Sequence, residues 1–241
     1  MTYLQHLEEL RRRIIVCVIA LVLSFAVAWI FAWDILALAK RPAGTITIHY
    51  MGPMEPFIVR FKLALFGGFL LSMPVILFEI LGFVTPALRS EEKKIAYAVL
   101  IMIIAFFCAG VAFGYWFIMP PAIRWLLGVA GNQMKPVLSA GQYVSFVGWF
   151  ALGIGVSFET PIVIWTLVAM DVLTPEQLQK QWRMALIIIL LVASIITPDW
   201  SPVTMIMVAL PMMALYVISI ALARITAKRK RKLLLAEETN L

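Results

Sequence analysis

Charge is the scarcest property of this chain. Of its 241 residues only 14% are charged and 63% are hydrophobic, whereas a soluble domain carries about 25% charged residues. That shortage excludes an ordinary water-soluble domain. Cysteine is nearly absent as well. Cys17 and Cys108 both fall inside apolar runs, where a free thiol behaves as a small hydrophobe. Two such residues imply neither a disulfide framework nor a metal site. Also missing are a nucleophile paired with a base, a cluster of metal ligands and a glycine-rich phosphate loop. No enzymatic activity, metal or cofactor is therefore expected. No His, Lys or Arg stands in the interior of an apolar run, beside its acids, to form a proton relay, which weakens a pump reading. The alternating ~10-residue segments of a transmembrane barrel are absent too.

What the chain has instead is a series of apolar runs of about 20 residues, each able to cross a hydrocarbon core about 30 Å thick. They predict an all-α, polytopic membrane protein with six transmembrane helices, at residues 14–33, 57–84, 95–119, 143–170, 184–196 and 203–223. The first run exceeds the 7–15-residue apolar region of a cleaved signal peptide, and no small-x-small site follows, so it is expected to be a permanent span. The fifth, at 13 residues, is too short to cross a flat bilayer at about 1.5 Å per residue. Unequal spans, with spans 5 and 6 short, predict a bundle cupped on one face. The expected organisation is an amphipathic helix over 1–13, a transmembrane domain over 14–223 and a basic tail over 224–241.

Between the spans the signals are local. Glu9 and Arg13 have i, i+4 spacing and can pair along the N-terminal helix. Thr45 to Ile48 alternates like a brief extended piece. Arg60 and Lys62, near the start of span 2, are expected to snorkel toward the surface. Residues 123–129 read as a short interfacial helix after Pro120-Pro121. Thr174-Pro175-Glu176-Gln177 is a helix start with capping-box spacing, and the helix is expected to run through Arg183 into span 5. Six spans put both termini on one side. Fourteen of the twenty Lys and Arg residues fall on that side, which the positive-inside rule assigns to the cytoplasm. The run from Lys228 to Lys232 reads as an anchor on anionic lipid, at ~1 kcal/mol per charge, and the net charge of +7 reports topology before any nucleic-acid partner.

Two acids lie within spans. Glu159 is near the middle of span 4, where a carboxylate costs about 2.5–3.5 kcal/mol on insertion scales. Pro161 removes a backbone donor and leaves the Ser157 carbonyl without its helical partner. Either Glu159 is an inward-facing acid bonded to a neighbouring helix, or it is a functional polar site. Glu79, in span 2, is the second. At the cytoplasmic surface Glu91 and Glu92 follow Ser90. Acids in a first turn stabilise the helix dipole by ~0.3–1 kcal/mol, which accounts for at least one of them. The alternative is that they dock an arginine-bearing partner beside the charged N-terminal stretch.

These stretches together resemble a known family. HLEELRRR at 6–13, PVILFEILGFVTPALRSEEKK at 74–94, GPMEPF at 52–57 and FETPIV at 158–163 are similar to the signatures of TatC, the largest subunit of the twin-arginine protein translocase. The resemblance covers nearly the whole chain. It places family positions on Glu9, Arg11, Arg13, Pro74, Phe83, Pro86, Glu92, Glu159 and Pro161. It departs at Glu79, where Gln is usual, and at Val217, where an acid often follows the Tyr. Asp199 stands in a turn spaced differently from the family's. The resemblance implies a receptor for twin-arginine signal peptides of folded cargo proteins, acting in the plasma membrane with TatA- and TatB-type single-span partners and further copies of itself, and driven by the proton-motive force. It implies signal-peptide contacts at Glu9, Arg11, Phe83 and Glu92, and partner contacts at Glu159 and Glu79. Two rival readings remain at this stage. One is a proton- or ion-coupled small-molecule transporter using Glu79 and Glu159. The other is a purely structural assembly subunit.

Overall fold

The computed structural model describes residues 3–44, 47–84, 90–129, 131, 137–169, 173–197 and 201–239, with the backbone alone for 3–5, 81, 84, 90–99, 169, 226 and 228–239. Pro86, Asp199 and the carboxylates of Glu91 and Glu92 therefore lie outside what is described. Among the described residues ten α-helices carry the fold: α1 Tyr3–Ile30, α2 Ala32–Lys40, α3 Glu55–Val84, α4 Ser90–Phe113, α5 Met119–Gly128, α6 Ala140–Ser157, α7 Thr160–Ala169, α8 Pro175–Lys180, α9 Trp182–Ile196 and α10 Pro202–Thr239. Five segments are long and apolar enough to span a membrane, and Trp182–Ile196 is a sixth, shorter apolar helix. The all-helical, polytopic expectation holds.

Several boundaries differ from the sequence reading, each for a local reason. Residues 3–13 are not a separate helix from span 1, because no breaker separates Arg13 from Ile14 and α1 runs unbroken to Ile30. Pro120-Pro121 does not end span 3. A π-helical segment, Gly114–Ile118, joins α4 to α5, and the chain stays helical through both prolines at the start of α5. The apolar segment extends from Leu100 to Gly128. Span 4 is broken at Phe158-Glu159 into α6 and α7. The capping box forms at Thr174, with both reciprocal bonds to Gln177. The helix nevertheless turns at Gln181 (φ −93°, ψ 20°) before α9 starts. Span 5 is short, as expected. Span 6 is not: α10 is apolar from Pro202 to Ile225 and continues helical into the basic tail.

The packing shows how the helices come so close. α1 lies along α3, and at Gly68 a methyl group would meet the Phe25 backbone at 2.8 Å. Small residues at such crossings let backbones approach where no hydrophobic effect drives helices together. The main core joins α5, α6, α7, α9 and α10 around Met119, Phe150, Ile154, Ala193 and Val208. A smaller cluster of Ala32, Val59, Leu63 and Val144 ties α2 and α3 to α6. Ile48–His49 pairs in parallel with Leu138–Ser139, so the extended piece foreseen near Thr45 begins at Ile48 among the described residues. One side of the bundle carries an open apolar groove of about 970 Å³ between α3, α6 and α9, with Phe69, Trp149, Val156 and Ile188 among its walls.

Candidate functional site

At the N-terminal end of α1 the chain assembles a charged cluster against the C-terminal end of α3. Arg13 is its centre. Its Nε and Nη2 donate to one oxygen of Glu9, Oε1, at 3.1 and 2.7 Å. Its Nη1 donates to Oε2 of Glu79 at 2.9 Å and reaches the Glu79 carbonyl at 3.4 Å. The Glu9–Arg13 pair is the one the spacing predicted. The Glu79 contact, across 66 residues of chain, was not visible in the sequence. Arg13 starts the first apolar run, and its long side chain reaches across to span 2. Glu79 is thus not an isolated intramembrane acid, and a cation does stand beside it.

Two further features complete the cluster. A methyl group on Gly82 would lie 2.1 Å from Nη1 of Arg13, so the guanidinium rests directly on the α3 backbone. One turn of chain away, the His6 ring stacks on Phe83 with centroids 4.3 Å apart and planes 23° apart. Of the expected recognition residues, Glu9 and Phe83 are brought together. Arg11 is exposed and joins no ion pair among the described residues; the structural arginine is Arg13. The other oxygen of Glu9, Oε2, is buried and has no hydrogen-bond partner among the described residues.

Glu159 occupies the turn between α6 and α7. Pro161 follows it and is fully buried, and Thr160 Oγ1 donates to the Ser157 carbonyl at 2.7 Å. The acceptor that proline was expected to leave free is therefore satisfied by the threonine. Glu159 itself is 9% exposed, and neither carboxylate oxygen has a partner among the described residues. Ser157 and Thr160, on either side of it, line the apolar groove. Pro74 lies within α3, which stays helical through it.

The opposite end of the bundle is held by another acid. Glu55 accepts from the Met51 amide, from Ser139 Oγ at 2.5 Å and from the Gly141 amide at 2.8 Å. It thereby ties the loop before α3 to the start of α6. Lys62 was expected to snorkel outward. It instead donates to Ser145 Oγ at 2.7 Å and to the Gly141 carbonyl at 3.1 Å, since α6 offers oxygens nearer than the surface. Arg60 stacks on Trp29, 4.7 Å from the ring centroid.

The family model for "Sec-independent protein translocase protein (TatC)" matches residues 5–211. The TatC protein of Aquifex aeolicus is 34% identical over 235 residues, covering 95% of this chain and 97% of its own length. The chloroplastic TATC of Arabidopsis thaliana is 30% identical, over 95% of this chain and 68% of its own. A crystal structure of the twin-arginine translocase receptor TatC superposes with a TM-score of 0.81 at 33% identity, covering 92% of this chain and 99% of that one. The chain belongs to the TatC family of Sec-independent protein translocase proteins.

Proposed function

We propose that this chain is the receptor and core subunit of a translocase that exports folded proteins carrying twin-arginine signal peptides. The observation that carries the reading is Glu9, held by Arg13 at one oxygen and unpaired at the other, beside the aromatic pair of His6 and Phe83. A guanidinium is matched by a carboxylate that accepts two parallel N–H bonds, a geometry that an ammonium lacks. Two adjacent arginines call for two carboxylates, and we assign these to Glu9 and Glu92. Phe83 packs against the apolar flank of the signal peptide. Arg11, on the exposed face, contacts the peptide or its cargo.

In the same reading Glu159 meets a polar group on the single-span helix of a TatA- or TatB-type partner, and further copies of the chain join the complex. The energy source is the proton-motive force. The protein lies in the plasma membrane with both termini in the cytoplasm, as its Lys and Arg distribution favours. A solute transporter using Glu79 and Glu159 loses support, because Arg13 already engages Glu79.

The test is binding of a fluorescent twin-arginine signal peptide to the detergent-solubilised protein, beside its twin-lysine counterpart. Tight binding that falls at least tenfold with twin-lysine is expected. Equal binding of both peptides, or none to a folded sample, overturns the reading.

A further inference from the structure

Resting on the receptor reading, we propose that His6 sets the preference for arginine over lysine: its ring, held flat by Phe83, is the platform on which one guanidinium of the signal peptide stacks. Glu9 by itself is a poor judge between the two cations. Arg13 already occupies Oε1 of that carboxylate with two nitrogens, and Oε2 is buried. Glu9 therefore offers an arriving cation its charge more readily than a free pair of oxygens. Charge alone draws an ammonium as well as a guanidinium. Telling them apart takes a group that reads the plane of the guanidinium, and the His6 ring supplies one.

The ring stands in the right place. His6, Glu9 and Arg13 fall at i, i+3 and i+7, on one face of α1. Contacts of His6 with Phe83 and of Arg13 with Glu79 turn that face toward α3. Residues three apart on a helix have Cβ atoms about 5–6 Å apart, so a guanidinium lying on the His6 ring stands beside the Glu9 carboxylate. The ring is also presented correctly. The His6 and Phe83 rings are near-parallel, with centroids 4.3 Å and planes 23° apart, so Phe83 covers one face of the imidazole. His6 is nonetheless exposed while Phe83 is half-buried, which leaves the opposite face of the imidazole to the water. No hydrogen bond holds either ring nitrogen among the described residues, so the stack on Phe83 is what fixes the plane. A guanidinium is planar, weakly hydrated and stacks on aromatic faces, whereas an ammonium is a compact point charge that keeps its water. The open face of His6 thus favours arginine and gives lysine little.

A mere brace between α1 and α3 needs no plane, and a leucine of similar bulk covers Phe83 as well as a histidine does. Affinities of the fluorescent twin-arginine and twin-lysine peptides are measured for the full-length solubilised chain, with thermal melting as the folding check. His6→Leu is expected to weaken twin-arginine binding about three- to fivefold and to leave twin-lysine binding within about 1.5-fold, so that the preference between the peptides shrinks. His6→Phe, which keeps a flat ring on Phe83, is expected to restore twin-arginine binding to within about 1.5-fold of the unaltered chain. Equal weakening of both peptides by His6→Leu makes the ring a brace and overturns the proposal, as does unaltered twin-arginine binding. A His6→Phe variant as weak as His6→Leu overturns it too, because the ring nitrogens and not the plane then matter. Should His6→Leu fail to melt cooperatively, His6→Met takes its place. If the unaltered chain does not prefer the twin-arginine peptide, the receptor reading itself fails. If it does and His6→Leu keeps that preference, only the role of His6 fails.

Discussion

At the scale of single residues, Glu159 is a costly side chain. It is 9% exposed and both oxygens lack partners among the described residues. An unsatisfied buried polar group costs about 1–3 kcal/mol, and such costs are commonly retained where function needs them. Replacing Glu159 with Ala removes the cost, so the solubilised protein is expected to melt higher, by about 2–4 °C per kcal/mol recovered. The same variant is expected to lose most of its crosslinking to a single-span partner helix while keeping its affinity for the twin-arginine peptide within about twofold. A lower melting point together with unchanged crosslinking makes Glu159 a structural acid and sinks the partner role. The sequence made Glu159 stand out, because a carboxylate amid so many apolar residues is conspicuous. It did not reveal that Thr160 satisfies the Ser157 carbonyl, since a threonine hydroxyl bonds back into its helix only once the local turn exists. Arg13 is the converse case. Its spacing from Glu9 marks it among three arginines in a row, but only the approach of α3 at Gly82 brings it to Glu79.

At the scale of elements, what the sequence showed depended on the range of the cause. Helix existence and the cap at Thr174 follow from composition and short spacing, and both appear in the structure. The break at Glu159, the turn at Gln181 and the unbroken passage through Pro120-Pro121 depend on what packs alongside, and the sequence reading placed them wrongly or not at all. The α1–α3 crossing is the contact on which the charged cluster depends. Its close point is Gly68, whose hydrogen faces the Phe25 backbone. A backbone atom cannot rotate away, so a larger side chain there forces the helices apart, and overpacking of this kind costs about 1–3 kcal/mol. Gly68→Leu is expected to lower the melting temperature by about 2–12 °C. It is also expected to weaken peptide binding, because the α1–α3 crossing brings Glu9 and Phe83 together. Normal binding in this variant shows that the recognition end does not depend on the crossing below it.

At the scale of the whole molecule, the topology turns on α9. Five long apolar segments alone place the two termini on opposite sides of the membrane. With α9 counted, they share a side. α9 has 15 residues, about 22 Å of helix, against a core of about 30 Å. The contacts of α10 decide which description holds. Tyr216 donates from its hydroxyl to the Leu178 carbonyl at 2.7 Å, and Arg224 bonds to Gln179. The segment just before α9 therefore lies beside the far end of the α10 span, while Ser201, just after α9, lies at its start. α8 and α9 run alongside residues 202–224 of α10, so α9 is expected to cross. A short crossing helix favours a bilayer thinned around it, at a modest cost per Å of mismatch, and one wall of the apolar groove is α9 itself. In membrane vesicles, with Cys17 and Cys108 replaced by Ala, Glu8→Cys and Glu176→Cys are expected to react with an impermeant thiol reagent from one side. Ser201→Cys and Tyr50→Cys are expected to react from the other. Labelling of Ser201→Cys from the same side as Glu176→Cys would mean that α9 does not cross. The C-terminal basic segment would then face away from the N-terminal charged cluster, and the Lys and Arg excess would no longer gather on one side.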